Sequence, residues 1–154
     1  MSGTAHEKFS LALTNALRAD ATLVTLTTHT GTNHHISRGK PDKAAQLPFL
    51  GHTSFTAGPA LSEATASFRA SLIKFSCSAL DDLTAMKIAD RIEALLLATG
   101  EPADNDYWDI SDTEITTKMV RWVRTMGPEK DDDTDSWRYE VFAEFHWIDV
   151  PCTP

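Results

Sequence analysis

Three histidines cluster in one segment, His29, His34 and His35, with His52 nearby in sequence. Imidazoles this close in sequence could share a metal ion or relay protons. Zinc needs three or four ligands at defined spacing. Neither HxxxH nor CxxC spacing occurs here, and no cysteine lies near these histidines in sequence. The expectation is a solvated polar loop. Asp131, Asp133 and Asp135 alternate like the start of a calcium loop. The sixth position of that loop would be Ser136 instead of glycine, and the twelfth is Phe142, where a bidentate glutamate is required. Asp131, Asp132, Asp133 and Asp135 are therefore expected to form a charged hairpin tip. GxSxG, P-loop, HExxH and GxGxxG motifs are all missing. Cys77 falls in an apolar segment and Cys152 in a Pro-flanked tail, so both are expected to be reduced thiols without a catalytic role. The residues thus give no catalytic, cofactor or metal site, and no enzyme activity is expected.

The remaining conspicuous residues are aromatic. Trp137, Tyr139, Val141, Ala143, Phe145 and Trp147 occupy every second position, with Arg138, Glu140, Glu144 and His146 between them. A period of two marks a strand with one apolar and one wet face. A partner strand is predicted from about Glu114 to Met126. Residues 127–135, all turn formers and charge, would join the two. Strands of about a dozen residues extend roughly 40 Å at ~3.4 Å per residue. A domain of this length has a radius of gyration near ~15 Å. The hairpin should therefore span the domain or project beyond it. Projecting strands need a cover, and another subunit is the simplest one. Trp122, Trp137, Tyr139, Phe142, Glu144, Phe145 and Trp147 are accordingly the candidate interface residues, with a place in the core as the competing reading for the aromatics.

Several elements must position that hairpin. Residues 6–19 carry Phe9, Ala12, Leu13, Ala16 and Leu17 on a helical stripe. Leu23 to Leu26 suggest a short second helical turn. Residues 27–46 read as a loop with one short strand around His35-Ile36-Ser37. Pro48 marks the Leu47–Gly51 segment as an edge or the start of a strand, and Gly58-Pro59 mark Thr56 to Ser62 as a turn. Residues 64–76 form a long strand whose apolar phase slips at Leu72-Ile73, which predicts a bulge or strong twist. Residues 80–99 form the clearest helix, with a capping-box-like start at Ser78-Ala79-Leu80-Asp81 and a stop at Gly100. Asp104 to Thr113 is an acidic connector. The predicted class is α+β: one domain over residues 1–154, flexible at about 1–6 and 150–154, with a mainly antiparallel sheet and helices on one face.

A chain of 154 residues can bury a real core. Its 42% hydrophobic and 23% charged residues exclude a disordered composition. No apolar run is long enough for a transmembrane helix, and the N-terminus shows no signal-peptide pattern, so no membrane partner is expected. The net charge of −8 argues against electrostatic capture of nucleic acid, although an acidic wall lets DNA pass without sticking.

Five ordered pieces together resemble a known family. They are the opening helix ending Ala16-Leu17-Arg18-Ala19-Asp20-Ala21-Thr22-Leu23, the Leu47-Pro48-Phe49-Leu50-Gly51 segment, the Glu63-to-Ser76 strand, the Ala85-to-Leu97 helix, and the terminal strand pair broken by an Asp-rich turn. Across about residues 8 to 148 this order resembles the tail terminator, or tail completion, proteins of long-tailed bacteriophages. The His-rich 27–46 segment and the acidic 101–113 connector depart from the pattern. The resemblance implies a homohexameric ring in the virion, assembled in the host cytoplasm. Such a ring caps the tail tube, meets the head completion or neck protein, and lets viral DNA pass through its lumen without specific binding. The rival readings are another neck or minor tail component, a small metal-assisted hydrolase using His29, His34 and His35 with an acid from the hairpin tip, and a cytosolic ligand-binding module.

Overall fold

A computed structural model describes residues 4–39, 47–56, 68–97 and 108–149. Helix α1 spans Ala5–Ala19. A capping box starts it: the Glu7 amide donates to Thr4 Oγ1 at 3.3 Å, and the Thr4 amide donates to Glu7 Oε2 at 2.7 Å. Asp20 closes α1 and caps α2, Ala21–Thr27, by accepting the Leu23 amide at 2.9 Å. Thr28, at φ 56°, ends α2. Helix α3, Asp82–Leu96, is capped by Asp81, which accepts the Thr84 amide at 2.9 Å. Ser78, expected to help cap this helix, lies instead within the preceding strand.

The strands are β1 (Ile36–Arg38), β2 (Phe49–Thr56), β3 (Phe68–Ala79), β4 (Ile115–Asp131) and β5 (Ser136–Asp149). They form one sheet in the order β1-β2-β3-β5-β4, parallel only between β1 and β2. The class is α+β, as the residue patterns predict. The Leu47–Gly51 segment leads into an interior strand and not an edge, because Pro48 stands just before the ladder begins. The expected turn after Thr56 falls largely outside the described residues, as do 64–67 and 98–107.

Two expectations about the long strands are corrected. β3 shows no slip at Leu72-Ile73: its register with both neighbours is continuous. Ile73, Phe75 and Cys77 face the core, and Leu72 is half-buried on the other face. Neighbouring strands on both sides hold the phase and override the local apolar pair. The irregularities lie in β4, with register shifts between Thr117/Met119, Trp122/Arg124 and Met126/Glu129. That last bulge absorbs Gly127 and Pro128, so the strand continues to Asp131 and the turn is only 132–135. Of the two forms expected of the hairpin, it takes the first, spanning the sheet without projecting. β5 is paired from Trp137 to Ile148 with β3 and is an inner strand along its length.

Helices and sheet meet over the odd-numbered face of β3 and β5. Val141, Ala143, Phe145 and Trp147 are fully buried there, beside Ile73, Phe75 and Cys77. From α1, Phe9 stacks on Trp147 with ring centroids 4.9 Å apart and meets Phe145 edge-on at 5.5 Å. The buried Trp147 indole donates to Ser71 Oγ at 3.1 Å, which satisfies its N–H. Lys8 joins α1 to the end of β5 through Asp149 at 3.2 Å. From α3, Ala85, Ile88, Ala89, Ile92 and Leu96 are buried. Arg91 reaches Asp20 with two bonds, 2.6 and 3.1 Å, and ties α3 to the α1–α2 corner. Burial alone would raise the Asp20 pKa, but the Arg91 guanidinium and the Leu23 amide hold it below the usual carboxylate value.

His52, on β2, is buried beneath α1. Thr14 Oγ1 lies 2.8 Å from His52 Nε2 and donates to the Ser10 carbonyl at 2.9 Å. With the hydroxyl proton so used, His52 Nε2 carries a hydrogen and donates. Its Nδ1 is buried without a hydrogen-bond partner among the described residues. Burial first, then Arg38 and Arg18, push the His52 pKa down from 6.5 to about 4.

The unfolded chain therefore takes up this proton before the folded one does. Stability is full above the ordinary histidine pKa and falls as pH drops from 6.5 toward 4, by up to about 3 kcal/mol. Urea melts at pH 7 and pH 4.5 should show that loss, and His52→Gln should reduce the difference; an unchanged pH difference in the variant contradicts the assignment. Leu96→Asp places an unpaired charge in the core and should abolish cooperative thermal unfolding, read by circular dichroism.

Candidate functional site

Each histidine of the loop spends one ring nitrogen on folding the chain. His29 Nδ1 accepts the amides of His35 and Ile36 at 3.0 and 3.1 Å, which aims the chain into β1. Burial and the nearby Arg18, His34 and His35 lower the His29 pKa, consistent with a neutral ring that accepts. A carbonyl can only accept, so His35 Nδ1 donates to Pro48 O at 2.7 Å and His34 Nε2 donates to Gly31 O at 3.1 Å. The His29 and His34 rings stack at 5.5 Å. Among the described residues no three His, Cys, Asp or Glu side chains converge as metal ligands. Cys77 is fully buried, and burial and Glu93 raise its pKa, so its thiol stays protonated. Cys152 lies outside the described residues.

At the hairpin tip, Asp131 accepts the Asp133 amide at 3.0 Å and Asp135 pairs with Lys130 at 3.2 Å. Thr134 and Ser136 share a 2.6 Å hydroxyl contact. Asp132, Asp133 and Asp135 are exposed. Below the tip is a cavity of about 160 Å³, on the sheet face opposite the helices, with Lys74 and Arg138 in its wall. Each of these cations already has a carboxylate, Glu140 for Lys74 and Glu129 for Arg138, both at 3.1 Å.

That opposite face is a charged ladder. Glu144 sits between Arg121 at 3.1 Å and His146 at 2.7 Å. The His146 bond and the Arg121 charge, against the opposing effect of burial, lower the Glu144 pKa. Arg124 lies over the Phe142 ring at 5.0 Å. Among the described residues no second layer covers this face.

The aromatic candidates separate into two groups. Phe145 and Trp147 are fully buried in the core and do not reach the surface of the chain. Tyr139 is half-buried and donates to Asp82 at 2.8 Å; this bond, with burial, raises its pKa. Trp137 is half-buried beneath Lys130, whose ammonium lies 5.5 Å from the ring centroid. Trp122 is 37% exposed, with its indole donating to Thr125 at 3.0 Å. Around it on β4, Met119, Val123 and Met126 are also exposed, at 40%, 42% and 47%. Period-two reasoning missed these three. The available signal was the run Met119-Val120-Trp122-Val123-Met126, which holds too many apolar residues for one face of a regular strand. Bulges turn several of them outward.

β4 is an edge strand: among the described residues nothing pairs with its outer side. Three bulges, Pro128 and the charges at Lys118 and Lys130 make a poor template for another strand. What β4 offers to a partner is its side chains. This is the arrangement on the chain that most resembles a functional surface.

Replacing Asp131, Asp132, Asp133 and Asp135 with alanine should shift Tm by only a few degrees, because solvated tip charges contribute little. Differential scanning calorimetry checks this, and a collapse of Tm would show that the tip organises the hairpin.

No protein-family model matches the chain, and no curated protein matches it in sequence. Its fold does match a chain in a solved structure described as the virion of a native gene transfer agent (GTA) particle. The match has a TM-score of 0.65 at 15% identity and covers 96% of this chain and 99% of that one. Over nearly its full length, the fold is therefore similar to that of a chain in that particle.

Proposed function

We propose that the chain is a structural, non-enzymatic protein of a phage-like virion, and within it a tail terminator. Copies of the chain form a homohexameric ring that caps the tail tube and meets the head completion or neck protein. Its partners are further copies of itself, the tube protein and the neck protein. Viral DNA passes through the lumen without specific binding, in keeping with a net charge of −8. The ring assembles in the host cytoplasm and resides at the head–tail junction of the particle. The observation that carries this reading is the match over nearly the full length of both chains with a chain of the GTA virion.

Two features of the chain support it. The loop histidines that could suggest chemistry each bond to backbone groups that fold the chain. Four of the eight exposed large apolar side chains among the described residues, Met119, Trp122, Val123 and Met126, lie together on β4, as expected of a surface covered in an assembly, while Leu11, Leu80, Leu83 and Leu97 are exposed on or beside the helices. Trp122, Trp137, Tyr139, Phe142 and Glu144 are proposed to lie at or beside that contact. A second reading keeps the particle but changes the position: another neck or minor tail component shares the same fold evidence.

Negative-stain electron microscopy and native mass measurement of the purified protein test the proposal. Six-membered rings, and tubes of tail protein that stop growing when the protein is added, are expected. A monomer under all conditions, including with tube protein present, would overturn the ring. Rings that leave tube growth unaffected would favour the second reading.

A further inference from the structure

Resting on the ring reading, we infer that the β4 flank contacts a second copy of this chain head to tail, and that the surface receiving it is acidic. Residues 118–126 carry Lys118, Arg121 and Arg124 and no acid. The chain as a whole has net charge −8, so everything outside this stretch carries −11. Arg121 is matched by Glu144, while Lys118 and Arg124 have no ion pair with a described residue. Both are exposed, as are Trp122 and Val123 between the arginines. The β4 edge of an acidic molecule thus carries exposed apolar and basic side chains, Trp122 toward the helical side of the sheet and Arg121 and Arg124 toward the charged side. Charge complementarity points to another copy as its occupant.

The same chemistry sets the symmetry of the contact. Two such strips facing each other would oppose like charges, which costs affinity. Pairing through the backbones is hindered by the three β4 bulges and Pro128. A two-fold contact of β4 on β4 is therefore disfavoured on both counts. A contact between different surfaces of identical copies is heterologous, and when its rotation closes it makes a ring.

The variant Lys118→Glu with Arg124→Glu tests this while leaving the Arg121–Glu144 pair in place. A second variant, Val123→Asp, acts at the exposed bulge and leaves the two cations unchanged. Circular dichroism should show both folded, since all three positions are exposed. Each is expected to weaken self-assembly of the protein at least tenfold, read by analytical ultracentrifugation, and wild-type assembly should weaken as salt is raised. Mixed with wild type, the double variant should still offer its acidic receiving surface and give short open arcs in place of closed rings.

Variants that assemble like wild type would overturn the contact while leaving the ring reading intact. Variants that form normal rings but no longer stop tube growth would show that the strip faces the tube protein, and would overturn the second copy as its occupant. Wild-type dimers joined two-fold through β4 would overturn the head-to-tail polarity. A wild type that never assembles would overturn both this contact and the ring.

Discussion

The structure depends on the stack between Phe9 and Trp147. These rings lie 4.9 Å apart and join the first helix to the last strand across nearly the whole sequence. Together with Phe145 they give the odd-numbered face of β5 a roof, and β5 is the strand on which both β3 and β4 are registered. Aromatic side chains bury large apolar areas and dominate the energetics of a core. With both carried on one face, helices gather there, and the other face is left to charged and half-buried residues. The two-layer arrangement follows from which parity of β5 holds the large rings.

Much of this was legible in the residues because β5 alternates without interruption and α3 has a clean apolar stripe. Both patterns are local consequences of burying one side of a regular element. β4 was less legible. Each bulge resets its alternation, and a period count sees only the sum of the segments. The Leu72-Ile73 pair misled in the opposite direction. It reads as a phase slip in isolation, but ladders on both sides hold β3 in one register. The helix and strand types were thus accessible from local pattern, while the irregularities depend on neighbours that are distant in sequence.

The candidate surface was half legible for the same reason. Trp122 stood out by residue type, and the structure leaves it exposed. Phe145 and Trp147 stood out equally, yet they belong to the core, since alternation alone does not say which face is covered. Met119, Val123 and Met126 became visible as a surface only once the bulges were placed. The His29, His34 and His35 group drew attention as potential chemistry, but one ring nitrogen of each bonds to the backbone around β1 and β2. Backbone polar groups in an irregular loop need partners, and imidazoles supply them here.

Asp20 has a role larger than its size. Its backbone amide donates to the Leu17 carbonyl at the end of the first helix, while its carboxylate begins the second and grips Arg91 on the third. The three helices therefore share a single polar keystone and should behave as one cooperative unit. Amide exchange near this corner would then report joint opening of the helical layer instead of independent fraying at three separate ends. Such a braced layer would resist distortion while the strands adapt.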